Sequence, residues 1–292
     1  MMKINNNYKG FNIVCIGAGA NGSHFFRNLL QDIATYKQGS GTRLVKNTAI
    51  TIVDGDRVEI KNLSNQLFDV DDVDTYKVDA LAERYGTHYD LDVHSISEYV
   101  TTLDEVKKVF GNHPDKLPVL VGLVDNNRTR ILLHEYFYSD EVKDLLYVDT
   151  GVEGIILPQE LENDPLADKK IESSGFSGQV VCGYKQSGQV FLPPVADVYP
   201  TILADEESVF PTQSCGDLIL NNPQRCATNK MAAQLTNTVL NNLFFTGEIF
   251  QEEIIFNARY GSAQTRFIAM RTEREYKHFF KELGINDISI VS

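Results

Sequence analysis

The chain has 292 residues, 42% of them hydrophobic, and a formal net charge of −13 at pH 7. That is enough apolar content for one large domain, or one domain with an appendage. The acidic balance argues against nucleic acid as a partner, because binding a phosphate backbone needs a basic surface. No apolar run approaches membrane-spanning length, and Met1 to Lys9 is polar, Asn-rich and without the apolar core of a signal peptide. No membrane contact and a cytoplasmic location are expected. The four cysteines, Cys15, Cys182, Cys215 and Cys226, form no C-x-x-C pair. A zinc site built from two such knuckles is excluded, and reduced thiols are expected.

Phe11 to Ile16 reads as a buried strand, and Asn21 to Tyr36 as a helix with Phe25, Phe26, Leu29, Leu30 and Ile33 on one side. Lys37 to Asn47 is a polar loop, Ala49 to Val53 a second strand and Thr75 to Tyr85 a second helix. Asp92 to Ile96 is a weaker strand and Pro118 to Val124 a strong one, buried on both faces. Asn127 to Phe137 is a helix and Leu145 to Asp149 a further strand. Strands alternating with helices predict an α/β fold with a mostly parallel, doubly wound sheet.

The pattern changes after Thr150. Val152 to Ile156 and Gly178 to Tyr184 read as strands separated by an acidic loop, Glu160 to Glu172. Phe191 to Gln213 has four prolines and no periodicity, so it is a long irregular crossing segment. Gln224 to Phe245 is the longest helical stretch, and Glu252 to Ala258 with Ala263 to Ala269 form a hairpin. These later strands extend the sheet in antiparallel fashion. The chain is expected to be a single domain over 1–292. Its nucleotide-binding half is 11–149. The remainder, 150–292, holds the crossing segment, the long helix and the hairpin.

The first strand runs into Gly17-x-Gly19-x-x-Gly22 and then a helix. Such glycines let backbone N–H groups approach a phosphate at a helix N-terminus. Asp54 ends the second strand, where an acid suits ribose hydroxyls; a solvated strand-end acid is the plainer alternative. Asn62, Gln66 and Lys77 follow, a polar set that a dehydrogenase does not need. Amide donors and a lysine there suit a triphosphate. For Lys77 the plainer alternative is an exposed helix residue.

Asp125 and Asn126 come directly after the strong strand, a place where a carboxylate can hold Mg²⁺; an Asx-type helix cap by either residue is the alternative. Arg128 is placed to pair with acids or phosphate. Cys215, at the end of the crossing segment, is a candidate nucleophile, weighed evenly against a small buried residue. Cys15, Cys182 and Cys226 read as structural, and His24 as a packed or surface histidine.

Gly17, Gly19, Gly22, Asp54, Asp56, Val58, Asn62, Leu63, Gln66, Lys77, Asp125 and Arg128, in that order, resemble the ThiF/MoeB/ubiquitin-activating superfamily. The closer resemblance is to short ThiF proteins of bacterial operons, such as those of PRTRC systems. It rests on the loop Lys37 to Asn47, Gln66-Leu67-Phe68, Val121 to Asn126 and Ser214-Cys215-Gly216-Asp217.

The resemblance implies a Rossmann-like fold that binds ATP through the glycines, Asp54, Asp56, Asn62, Gln66, Lys77 and Arg128, with Mg²⁺ on Asp125. It implies adenylation of the C-terminal carboxylate of a ubiquitin-like or sulfur-carrier protein, with Lys77 and Asp125 catalytic and a thioester step on Cys215. It further implies substrate binding and dimerisation by 150–292, as a homodimer for which the apolar face of Met231 to Phe245 is a candidate contact, with burial in the monomer core as the plainer alternative. Operon partners resembling a ubiquitin-conjugating enzyme and a deconjugating metalloprotease are also implied, and no structural zinc. One departure stands out: the family places Arg before the Gln, and this chain has Asn65. Lys61, Arg57 or a partner subunit's arginine are the candidate substitutes. Two other readings stay open, a degenerate binding module and an NAD-dependent oxidoreductase.

Overall fold

The computed structural model describes residues 2–3, 7–39, 41–161, 164–205, 208–211 and 224–268. Strands are β1 (Met2–Lys3), β2 (Gly10–Ile16), β3 (Ala49–Val53), β4 (His94–Ile96), β5 (Lys116–Gly122), β6 (Leu145–Val152), β7 (Ser177–Gln186), β8 (Gln189–Leu192), β9 (Glu248–Ile249), β10 (Gln251–Asn257) and β11 (Ser262–Phe267). Helices are α1 (Ala20–Gln38), α2 (Lys77–Leu81), α3 (Thr87–Tyr89), α4 (Leu103–Phe110), α5 (Asn127–Tyr138), α6 (Ala167–Ser173), α7 (Val195–Val198) and α8 (Cys226–Thr246).

The central sheet runs β11-β10-β7-β6-β5-β2-β3-β4, with β8 paired to β7. From β4 to β6 every pairing is parallel; from β6 outward through β7, β10 and β11 every pairing is antiparallel. This is the expected Rossmann-like α/β sheet with its antiparallel extension.

Strand alternation divides the core into two layers. Phe11, Ile13 and Cys15 of β2 face α1 and α8, packing with Phe25, Phe26, Leu29, Leu240 and Phe244. Val14 and Ile16 face α4 and α5, packing with Val106, Phe110, Leu133 and Phe137. A strand buried on both faces reads as a continuous apolar run, which is the pattern of β2, β3 and β5.

The strand order reverses at β2. Its last residue, Ile16, sits between Val53 of β3 and Gly122 of β5. The crevice beyond these three carboxyl ends is the ligand position of open α/β sheets. Gly17, Asp54 and Asp125 all lie just past those ends.

Three local expectations are corrected. Val152 to Ile156 is not a strand: β6 absorbs Val152, and then the Glu153 carboxylate accepts N–H groups from Gly175 and Ser177, turning the chain away. The acidic loop contains the short helix α6, with Lys170 paired to Asp164 at 2.6 Å. The helix over Thr75 to Tyr85 is α2 followed by a π-turn at Ala82–Gly86.

Candidate nucleotide-binding site

The three glycines play different roles. Gly17 has φ +106°, and a Cβ on it would lie 2.6 Å from the Leu123 carbonyl oxygen. A Cβ on Gly22 would lie 2.1 Å from the Gly17 carbonyl oxygen. The fold itself therefore demands glycine at both. At Gly19 a Cβ meets nothing within 4 Å among the described residues. Packing does not explain Gly19; the open space above its backbone is where a ligand would come close. Helix α1 starts there without a side-chain cap and without an acid in its first turn. Its first N–H groups are those an anion can take.

Asp54 ties the glycine turn to β3. Its Oδ2 accepts from Ala18 N at 2.6 Å and its Oδ1 from Asp56 N at 2.8 Å. Burial pushes its carboxyl above the usual range, opposed by Lys77 and the two amides. Each oxygen keeps a lone pair for a hydroxyl.

Lys77 is not the exposed helix lysine of the plainer reading. It is 3% exposed, and its Nζ lies 2.8 Å from Asp56 Oδ2. Its backbone N–H donates to the Asp56 carbonyl at 3.0 Å. The Tyr99 hydroxyl donates to the other Asp56 oxygen. Burial disfavours the ammonium, but the charges of Asp54, Asp56 and Asp125 outweigh it and hold its pKa above the usual value. Burial likewise works against the Asp56 carboxylate, yet the charge and hydrogen bond of Lys77 hold it below the usual range. One buried ammonium thus answers to three carboxylates from two segments of the chain, Asp54 and Asp56 after β3 and Asp125 after β5.

The turn after Asp56 is a 3₁₀ helix, Ile60–Ser64. Asn62 is 1% exposed, and its Oδ1 accepts from Glu59 N at 2.8 Å. Its carbonyl end thus serves the turn. Gln66 Oε1, Asn65 Oδ1 and Asn21 Oδ1 are buried with no hydrogen-bond partner among the described residues. Arg57 lies 3.9 Å over the Tyr76 ring and donates to the Asp74 carbonyl, while Lys61 pairs with Glu59 at 2.9 Å. His24 is half-buried beside Asn65, and burial, then Lys230 and Arg27, push its pKa down.

At the end of β5, Asn126 caps α5: its Oδ1 accepts from Thr129 N at 2.8 Å. Asp125 is exposed, and its charge reaches Lys77. Arg128 is exposed with its guanidinium 5.0 Å over the Phe210 ring, and its backbone N–H donates to Ser208 Oγ at 2.9 Å. Cys215 lies outside the described residues. Cys15 and Cys182 are buried, with thiols pushed up by burial, and Cys226 is half-buried at the start of α8.

Sequence reasoning missed Tyr99 and the buried pair of Arg130 with Asp149 at 3.0 Å. For the second a signal existed. Asp149 sits inside the apolar run Leu145–Val152, and a buried carboxylate needs a partner.

Comparison with protein-family profiles matches residues 5–191 to the ThiF family. Comparison with curated proteins by sequence finds no match. Among solved structures, E. coli MccB with AMPCPP and MccA is similar at a TM-score of 0.54 and 13% identity, covering 92% of this chain and 66% of that one. The microcin C7 biosynthetic enzyme MccB in complex with N-formylated MccA gives 0.52 and 14%, covering 90% and 66%. PaaA gives 0.53 and 14%, covering 90% and 65%. The chain spans just under two thirds of the length of these neighbours. With the profile matching well over half of its residues, the chain belongs to the ThiF family.

Proposed function

We propose that this chain uses ATP to adenylate the C-terminal carboxylate of a ubiquitin-like or sulfur-carrier protein. The observation that carries the reading is Lys77, an ammonium buried at the switch point among Asp54, Asp56 and Asp125. A dinucleotide site has no use for it. In the reaction a carboxylate oxygen of the tail attacks the α-phosphorus. The bond to the bridging oxygen breaks, and pyrophosphate leaves. Gly19 and the first turn of α1 receive phosphate oxygens, Asp54 the ribose hydroxyls, and Asn62 and Gln66 add amide contacts. Lys77 stabilises charge on the α-phosphate.

A triphosphate added to three carboxylates and one ammonium needs a further cation. The residues fit Mg²⁺. Asp125 offers an exposed hard oxygen donor that helix capping does not use. One carboxylate plus nucleotide phosphates is an ordinary Mg²⁺ set. When bound, the ion offsets charge on the reacting phosphates. The MccB structures with ATP or AMPCPP, and with MccA, support a nucleotide beside a peptide substrate. Transfer to Cys215 belongs to the same proposal: the thiolate attacks the acyl carbonyl, AMP leaves and a thioester remains. So does the homodimer, but its contact is not the apolar face of α8: Val239, Leu240, Leu243 and Phe244 are buried in this chain's own core.

One observation favours a second reading, a binding module without turnover. Asn65 stands where the family has Arg, and Arg57 and Lys61 are both engaged elsewhere. ATP–pyrophosphate exchange separates the two. The adenylation reading predicts exchange that requires a free C-terminal carboxylate and stops when the tail is amidated. Nucleotide binding without exchange supports the module.

A further inference from the structure

The adenylation reading gives Asp125 a metal-holding role, and this inference rests on that reading. Arg130 is 8% exposed and Asp149 1%. The Arg130 guanidinium donates from Nε to Asp149 Oδ1 at 3.0 Å and from Nη1 to Asn127 Oδ1 at 3.3 Å. From Nη2 it donates to the carbonyl oxygens of Val124 at 2.6 Å and Thr150 at 3.2 Å. Asp149 Oδ2 accepts from the Tyr147 hydroxyl at 2.9 Å. Gly122 makes the room: a Cβ there would lie 2.5 Å from Asp149 Oδ2.

A buried ion pair is a poor device for stability alone, since well-packed apolar residues often do as well or better. What this pair adds is a grip on the backbone. β5 ends at Gly122, so the Val124 carbonyl has left the strand ladder, and Arg130 takes it. Val124 immediately precedes Asp125. The same fork holds Thr150 one strand over and, through Asn127, reaches Asp205 of the crossing segment, to which Asn127 Nδ2 donates at 2.7 Å. We propose that Arg130, oriented by Asp149, is the positioning residue that fixes the Val124–Asp125 backbone and so aims the Asp125 carboxylate at the metal of the nucleotide. A lysine cannot replace it, because a single ammonium does not span a carboxylate and two carbonyls in a fixed plane.

The test is calorimetric titration of Mg²⁺ into protein saturated with AMPCPP, for wild type, Arg130→Lys and the apolar double variant Arg130→Met/Asp149→Leu. The double variant removes the grip without leaving a buried charge alone. Both variants should bind Mg²⁺ at least about tenfold more weakly, the scale for losing a partner that orients a metal ligand. The melting temperature of the double variant should stay within a few degrees of wild type. Wild-type Mg²⁺ affinity in both variants overturns the inference while leaving the adenylation reading intact. Failure of both variants to fold makes the pair a fold element and also overturns it. A wild-type protein that holds AMPCPP without any Mg²⁺ dependence removes the metal role of Asp125, and the inference falls with it.

Discussion

Lys77 and Asp56 form a 2.8 Å ion pair in which the ammonium is 4% exposed and the carboxylate 38%. The pair closes a loop between the strand end after β3 and the first turn of α2. It also holds the site's buried cation beside two more carboxylates. Lys77→Met should therefore act mostly on chemistry. The stability cost is set at about 1 kcal/mol, discounted because Asp56 is open to solvent. Removing a preorganised electrostatic contact should slow carboxylate-dependent pyrophosphate exchange by about 10²–10³. Thermal melts beside exchange rates check both halves.

The three glycines should respond differently to alanine. Gly22→Ala places a Cβ 2.1 Å from the Gly17 carbonyl oxygen, and Gly17→Ala combines φ +106° with a 2.6 Å contact. Each should cost about 1–3 kcal/mol of stability, the scale for forced overpacking. Gly19→Ala meets nothing among the described residues and should leave the melting temperature unchanged. It should weaken ATP binding nonetheless, because the added methyl occupies the phosphate approach. Calorimetric binding with parallel melts distinguishes the three. An unchanged ATP affinity in Gly19→Ala would remove the phosphate from that position.

Stability should fall on mild acidification through His134. This histidine lies between Tyr138 and Asp197, and burial lowers its pKa from 6.5, with Asp197 and Glu135 opposing. The folded state thus resists a proton that the unfolded chain accepts. Stability is fully present above 6.5 and is lost as pH falls from there toward the lowered folded value. His134→Gln removes that titration. Denaturant melts at pH 7 and pH 5 should show a smaller loss for the variant than for wild type.

The strand-turn-helix at Gly17, the strand-end acid Asp54 and the mostly parallel sheet with its antiparallel extension were legible because they follow from local periodicity and chain connectivity. The capping of α5 was open between two neighbours, and the structure gives it to Asn126. Helix α4 was not foreseen, although Thr102 and Glu105 form a capping box at its start. It is only eight residues long, yet Leu103, Val106, Val109 and Phe110 already carry the helical spacing. Residues brought together from distant segments left weaker traces. Tyr99 reaches Asp56 across 43 positions and Arg130 reaches Asp149 across 19. Neither pair follows from spacing along a helix or strand.

In the proposed reaction, attack by a protein's carboxyl terminus cleaves ATP between its α- and β-phosphates. The most direct measurement follows ATP labelled in the α-phosphate, incubated with Mg²⁺ and candidate ubiquitin-like tails, with acid-quenched products separated by chromatography. Adenylation puts the label in AMP or acyl-adenylate, with pyrophosphate in equal amount. Both should be lost when the tail is amidated and sharply reduced in Asp125→Asn. Label in ADP, or no cleavage with tails that bind the protein tightly, would contradict it.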